Sequence, residues 1–278
     1  MLLHPQFNPI ALQIGPVAVH WYGLMYLIGF ALFYHLGKQR AQDSWRGVSP
    51  RELDDLLFVG VLGVILGGRL GFCLFYQPDW FAAHPIDVFK VWQGGMSAHG
   101  GMLGVFAAIL IHAAVHKKSF WVVADFVAPL VPLGLMAGRI GNFINGELWG
   151  RLCSDQLPWC MVFPQSGTFA PRHPSQLYEA GLEGLLLFIV LWGVSYKRRI
   201  TGVVSMVFCL GYGIARFVVE FFREPDSYLG LGLFGLSRGQ WLTIPLFVIA
   251  ALIWLAVVKP PLEDKRRRDK LLQEFLDS

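Results

Sequence analysis

The sequence predicts an all-α polytopic membrane protein of about seven transmembrane helices. Three observations predict it. The 278 residues are 55% hydrophobic and only 15% charged, whereas soluble domains carry nearer 25% charged residues. Seven apolar stretches are long enough, or nearly so, to cross about 30 Å of hydrocarbon as helix. Lys and Arg gather in alternate connecting segments, the asymmetry expected of cytoplasmic loops. The 10 Trp and 22 Phe suit segments that sit in lipid with aromatic residues at its interfaces.

The stretches fall at roughly 17–37, 56–76, 97–115, 120–138, 179–196, 201–221 and 240–258. His20-Trp21-Tyr22 opens the first. No Lys or Arg precedes Lys38 and no small-residue cleavage site follows, so this segment is expected to stay in the mature protein. The second carries Arg69 just after Gly67-Gly68. The third opens with Ser97-Ala98-His99-Gly100-Gly101 and is expected to be partly re-entrant or broken, which is tolerated where backbone lines a cavity. The fourth holds Asp125 near its start. The sixth places Tyr212, Arg216 and Glu220 four residues apart, hence on one helix face.

Orientation follows from the basic residues. Lys38, Arg40, Arg46 and Arg51 follow the first span; Lys117 and Lys118 the third; Lys197, Arg198 and Arg199 the fifth; Lys259 and the run Lys265-Arg266-Arg267-Arg268-Asp269-Lys270 the seventh. The opposite segments hold few, so the N-terminus is expected outside and the C-terminus in the cytoplasm. Residues 1–258 read as one integral-membrane domain and 259–278 as a basic cytoplasmic tail. That tail and the net charge of +4 are explained by orientation and by contact with anionic lipid, and no nucleic-acid partner is expected. Two larger loops, 77–96 and 139–178, are expected outside, where they form a head.

The second of those loops opens with the chain's densest polar motif, Gly138-Arg139-Ile140-Gly141-Asn142-Phe143-Ile144-Asn145-Gly146-Glu147-Leu148-Trp149-Gly150-Arg151. Polar groups at membrane depth are costly and are kept for ion or substrate chemistry. Guanidinium forks and amide donors suit a phosphate oxyanion, and interleaved glycines let backbone approach it. The pattern points to an enzyme that handles a phospholipid headgroup.

The remaining polar residues admit two readings each. Arg216 and Glu220 could neutralise one another, but the Arg216 fork can hold a carboxylate and still present N–H groups to a ligand. Arg69 reads as structural, paired with an acid such as Asp125 or Glu220. Asp125 reads as a helix cap or a cation's partner. His99 is either a satisfied or interfacial histidine or a functional one, and the glycines beside it favour function. Cys73 and Cys209 lie in apolar runs and are expected to be inert. Cys153 and Cys160 share a polar loop; a disulfide, if that loop faces an oxidising compartment, and two free thiols are both open. No Cys/His spacing suggests a metal site.

The run Gly138 to Gly150 resembles the signature of the bacterial prolipoprotein diacylglyceryl transferases. The resemblance extends to His20-Trp21-Tyr22-Gly23-Leu24-Met25-Tyr26, His99-Gly100-Gly101, His173-Pro174-Ser175-Gln176-Leu177-Tyr178-Glu179 and Tyr212 to Arg223, in order along the chain. It implies a multi-pass protein of the bacterial cytoplasmic (inner) membrane, with its N-terminus and active site periplasmic. The implied reaction moves a diacylglyceryl group from phosphatidylglycerol to the lipobox cysteine of a preprolipoprotein, releasing glycerol 1-phosphate, with no cofactor and with membrane lipids as surroundings. Read onto this sequence, His99 is the candidate base, with an arginine-lowered thiol pKa as the alternative, and Tyr22 a weaker candidate. Arg139 and Arg216 would stabilise the leaving phosphate. Asn142, Asn145 and Glu147 would hold headgroup hydroxyls or position Arg139. Tyr212 would orient lipid; Gly100, Gly101, Gly141 and Gly150 would act through backbone shape; Glu220, Arg69 and Asp125 would support.

Rival classes fit less well. A transporter predicts paired repeats and polar groups on both sides of the midplane, and neither is evident. An intramembrane protease needs a nucleophile–base pair, an Asp pair or a zinc site, and Ser97 and His99, two apart, would face differently on a helix.

Overall fold

The computed structural model describes residues 2–15, 17–154, 156–224 and 235–276. In chain order the elements are β1 (Leu2–Leu3), β2 (Ile10–Ile14), β3 (Val17–His20), α1 (Trp21–Arg40), α2 (Pro50–Phe75), α3 (Pro78–Ala83), α4 (Ala98–Val115), α5 (Phe120–Val127), α6 (Val131–Asn145), β4 (Met161–Val162), β5 (Pro171–Arg172), α7 (Ser175–Glu179), α8 (Leu187–Val194), α9 (Val203–Val219), α10 (Arg238–Ile253) and α11 (Lys259–Leu276). A 3₁₀ turn, Ala128–Leu130, links α5 to α6. π-helical turns at Ala180–Leu186 and Trp254–Val258 link α7 to α8 and α10 to α11.

Helix dominates, as the composition predicts. Five helices are long and apolar enough to cross a membrane: Ser44–Phe75, Ala98–Val115, Phe120–Asn145, Ser175–Val194 and Arg238–Arg267. Val203–Val219 is a shorter apolar helix, and α1 adds another of 20 residues. Each of the seven apolar stretches overlaps one of these.

The all-α class holds, with short accessory strands: β2 and β3 form an antiparallel hairpin, and β1, β4 and β5 a small three-stranded sheet. Details of the spans differ from expectation. The first stretch therefore does not start as helix at 17; Val17–His20 is strand, and α1 begins at Trp21. The third stretch is unbroken. Its glycines are needed for packing rather than for a break, and Ser97 caps α4 by accepting from the Gly100 N–H at 3.1 Å. The fourth helix runs beyond 138 to Asn145, so the first half of the polar motif is helical and not loop. It stops at Gly146, whose φ of 66° is the left-handed cap that glycine favours.

The chain forms two compact units, residues 1–36 with 127–278, and residues 37–126. In the second, α2 starts at a capping box: the Ser49 hydroxyl accepts from the Glu52 N–H, and the Glu52 carboxylate accepts from the Ser49 N–H at 2.6 Å. Gly63, Gly67 and Gly71 on α2 meet Gly100, Gly104 and Ala108 on α4, residues four apart on both sides. A Cβ added at Gly67 or Gly100 would run into the opposite backbone. Small residues at this spacing let two helices approach closely within a membrane, where burial supplies no drive of its own.

Arg69, on the same helix, does not pair with an acid as expected. It is buried at 4% exposure. Its guanidinium donates to the carbonyls of Val88 at 2.9 Å, Gly94 at 2.6 Å and Gly95 at 3.2 Å, and to that of Asp87. Backbone carbonyls carry enough partial charge to satisfy the fork, and Arg69 so gathers the 87–95 segment around itself. Asp125 lies past the first turn of α5 and therefore does not cap it; it stands close enough to Arg40 to act on it electrostatically.

In the first unit, Ala128, Leu187, Leu191 and Val204 form a buried apolar cluster under Val207, Phe208 and Tyr212. The segment 146–174 connects α6 to α7 and holds β4 and β5. Cys153 and Cys160 are joined there as a disulfide, with Cα atoms 6.0 Å apart, a separation usual for that bond.

Candidate active site

Within the first unit, α6, the α7–π-turn helix and α9 bring an ion cluster together. Glu179 and Glu183 are one helical turn apart and both are 0% exposed. A buried carboxylate must be paired to be tolerated, and three arginines do this. Arg139, from α6, straddles them, reaching Glu179 Oε2 at 3.3 Å with Nη1 and Glu183 Oε2 at 3.4 Å with Nη2. Arg216, from α9, contacts Glu179, Glu183 at 3.4 Å and Glu220 at 3.1 Å. Arg223 reaches Glu179 Oε1 at 3.0 Å. The π-helical turn carries Glu183; such turns are frequent at functional sites.

Arg139 and Arg216 keep 19% and 15% of their side chains exposed. A guanidinium has five N–H donors, so groups not given to glutamates can receive an anion. The acids fix the forks before a ligand arrives, which is the preorganisation that electrostatic stabilisation requires. Tyr212 lies within electrostatic reach of Glu183, Arg216, Arg139 and Glu179. Glu220 also abuts Gly239, in the first turn of α10, where the positive helix end favours a carboxylate.

The end of α6 forms the second part of the site. Asn142 donates to Glu147 Oε1 at 2.8 Å and Asn145 to the same oxygen at 3.4 Å. The turn beyond is conformationally unusual: Gly146 and Leu148 both have positive φ, 66° and 58°. For leucine this costs energy and persists only where neighbours enforce it. The enforcing contacts come from α7, where Gln176 donates to the Glu147 carbonyl at 2.6 Å and Ser175 to the Leu148 carbonyl at 3.0 Å. Gly150 is wedged between backbone: its N–H bonds the His173 carbonyl at 2.8 Å, it bridges Arg223, and a Cβ would collide with the carbonyls of Phe222 and His173. Tyr22, on α1, is 38% exposed, 3.4 Å from the Tyr26 hydroxyl, and within electrostatic reach of Glu147 and Arg139. Tyr22 also packs against Gly141. Outside the spans, burial holds the His173 imidazole below the ordinary histidine range, and its Nδ1 lies 3.0 Å from the Tyr178 hydroxyl.

Of the residues singled out in the sequence, this unit gathers Arg139, Arg216, Glu220, Tyr212, Asn142, Asn145, Glu147, Gly150 and Tyr22. His99, Gly100, Gly101, Arg69 and Asp125 belong to the 37–126 unit. There His99 is exposed in the first turn of α4, with no side-chain hydrogen bond among the described residues. The backbone of α2 approaches Gly100 closely, whereas a Cβ at Gly101 would meet only the Val64 carbonyl, at 3.7 Å. Sequence reasoning missed Glu179 and Glu183 as the platform for the arginines, and Arg223 and Gln176. Two acids four apart in an apolar stretch were the available signal. Among the described residues, no group of three or more His, Cys, Asp or Glu is placed to hold a metal ion.

Comparison with known proteins shows the family. The family model of prolipoprotein diacylglyceryl transferase matches residues 9–256. A phosphatidylglycerol–prolipoprotein diacylglyceryl transferase of Bordetella parapertussis is 56% identical over 262 residues, covering 94% of this chain and 99% of the relative. Proteins of the same name are 55% identical in Methylibium petroleiphilum, over 92% of this chain and 98% of that protein, and 53% identical in Paracidovorax citrulli, over 94% and 99%. With the match spanning nearly the whole chain and the signature seated on the ion cluster, the chain belongs to the prolipoprotein diacylglyceryl transferase family.

Proposed function

We infer that this chain is a membrane transferase that moves the diacylglyceryl group of phosphatidylglycerol to the lipobox cysteine thiol of a preprolipoprotein, the first step of lipoprotein maturation. One observation carries the reading: Arg139 and Arg216 share two fully buried glutamates while each keeps an exposed edge. The phosphate of an anionic lipid is the ligand such an edge fits.

In the reaction the cysteine sulfur attacks the glycerol carbon that bears the phosphate. A carbon–sulfur bond forms, the carbon–oxygen bond to phosphate breaks, and glycerol 1-phosphate leaves with the electron pair. Charge grows on the departing phosphate, where Arg139 and Arg216 stabilise it. Asn142, Asn145 and Glu147 meet the headgroup hydroxyls, and Tyr212 orients the lipid. A thiol with a pKa of about 8.5 is mostly un-ionised at neutral pH. His99 takes its proton, or the arginine field lowers the thiol pKa directly; Tyr22 serves as a hydrogen-bond partner. The site faces the periplasm from the bacterial inner membrane. The placement of Lys and Arg supports that orientation, as does the Cys153–Cys160 bond, since disulfides persist in oxidising compartments.

The test is transfer from labelled phosphatidylglycerol to a lipobox peptide in membranes of matched enzyme content. Arg139→Ala and Arg216→Ala are each expected to lose about a hundredfold or more, the cost of one well-placed donor. His99→Gln separates the two proton routes: a large loss supports the imidazole, wild-type activity the arginine field. Full activity of Arg139→Ala removes that residue from the site.

A further inference from the structure

We propose that His4 is a positioning residue for the transfer reaction, acting through the carbonyl of Phe143 on the Asn142–Asn145–Glu147 set. The inference rests on the reading that this set meets substrate.

His4 is far from the signature in sequence, yet only 1% exposed. The first residues are laid against the 146–174 segment: Leu2 and Leu3 pair in parallel with Met161 and Val162, and the His4 N–H donates to the Val162 carbonyl at 2.9 Å. The ring stacks on Phe163, with centroids 5.1 Å apart at 29°, and meets Phe143 edge-on at 5.1 Å. Its hydrogen bonds fix the tautomer. The Gln6 backbone N–H can only donate, so Nδ1 accepts from it, at 3.2 Å. Nε2 therefore carries the proton and donates to the Phe143 carbonyl at 2.7 Å.

That carbonyl lies in the last turn of α6, where helix carbonyls lack onward partners. It also accepts the Gly146 N–H at 3.0 Å. Phe143 stands directly after Asn142, and Asn142 and Asn145 are the donors that hold the Glu147 carboxylate. The second flank of the same turn is closed by Gln165, whose side chain lies against Gly146 and 3.5 Å from His4 Nδ1. The imidazole, wedged between aromatic rings, thus braces the turn at which α6 ends and with it the way its two asparagines present Glu147.

The experiment compares His4→Phe, which keeps the ring and removes the donor, with His4→Gln, which keeps a donor, in full-length enzyme assayed for diacylglyceryl transfer with thermal unfolding followed in parallel. His4→Phe is expected to lower kcat per folded enzyme about five- to tenfold, beyond the modest loss of stability that removing one hydrogen bond brings, and His4→Gln to recover most of the rate. In an Asn142→Ala background, His4→Phe should add little, because both act on one network. Wild-type kcat in His4→Phe, a loss that merely follows a loss of folded enzyme, no recovery in His4→Gln, or full additivity with Asn142→Ala would each overturn the proposal. Full activity of Asn142→Ala alone would instead overturn the reading on which it rests.

Discussion

Glu179→Gln probes the ion cluster at its most connected point. The substitution keeps shape and removes one negative charge from a position with no solvent exposure. Three guanidiniums feel the loss unequally. Arg139 retains Glu183 at 3.4 Å, and Arg216 retains Glu183 at 3.4 Å and Glu220 at 3.1 Å. Arg223 contacts Glu179 alone among the described acids. Uncoupling a buried pair costs about 3–5 kcal/mol; two of the three arginines keep an acid and the Gln carbonyl still accepts, so the lower end, about 3 kcal/mol, is expected. Activity should fall at least tenfold, because Arg139 and Arg216 lose the carboxylate that holds both forks in one place. The assays are thermal unfolding in detergent micelles and transfer from phosphatidylglycerol. Unchanged unfolding together with full transfer would refute the argument that Glu179 is the platform on which the arginines are ordered.

Two further outcomes follow from packing and burial. Gly67→Val should separate α2 from α4, since a Cβ at Gly67 meets the Gly100 carbonyl and Gly104 backbone; lower yield of folded protein and a lower unfolding temperature than for Gly101→Ala, which meets only the Val64 carbonyl at 3.7 Å, would check it. Partial burial holds the His173 imidazole below the ordinary value. Its stabilising contribution is therefore complete above the unfolded-state pKa of about 6.5 and is lost as pH falls toward the lower folded value; unfolding measured between pH 7.5 and 5.5 should be less steeply pH-dependent in His173→Gln than in wild type.

The reach of the sequence differs from element to element. Asn142, Asn145 and Glu147 announced themselves because amides and a carboxylate rarely stand beside an apolar helix without cause. The helical state of Gly138–Asn145 was harder to read, because glycine and asparagine weaken local helix preference while the packing of α6 overrides it. An arginine in an apolar run calls for an acid, yet the carbonyls of Asp87, Val88, Gly94 and Gly95 supply the partners of Arg69. Beside His99, Gly100 signals a close approach, and the α2 backbone makes one there.

By itself the sequence determined the membrane class, the places of the apolar stretches, the alternation of basic segments and the presence of guanidiniums among the amides and acids of the signature and the sixth span. These depend on side-chain identity and local spacing, which hydrocarbon selects residue by residue. Only the tertiary structure decided that Glu179 and Glu183 gather Arg139, Arg216 and Arg223, that glycines join α2 to α4, and that His4 reaches Phe143. Such partners lie far apart along the chain, and folding alone brings them within hydrogen-bond range.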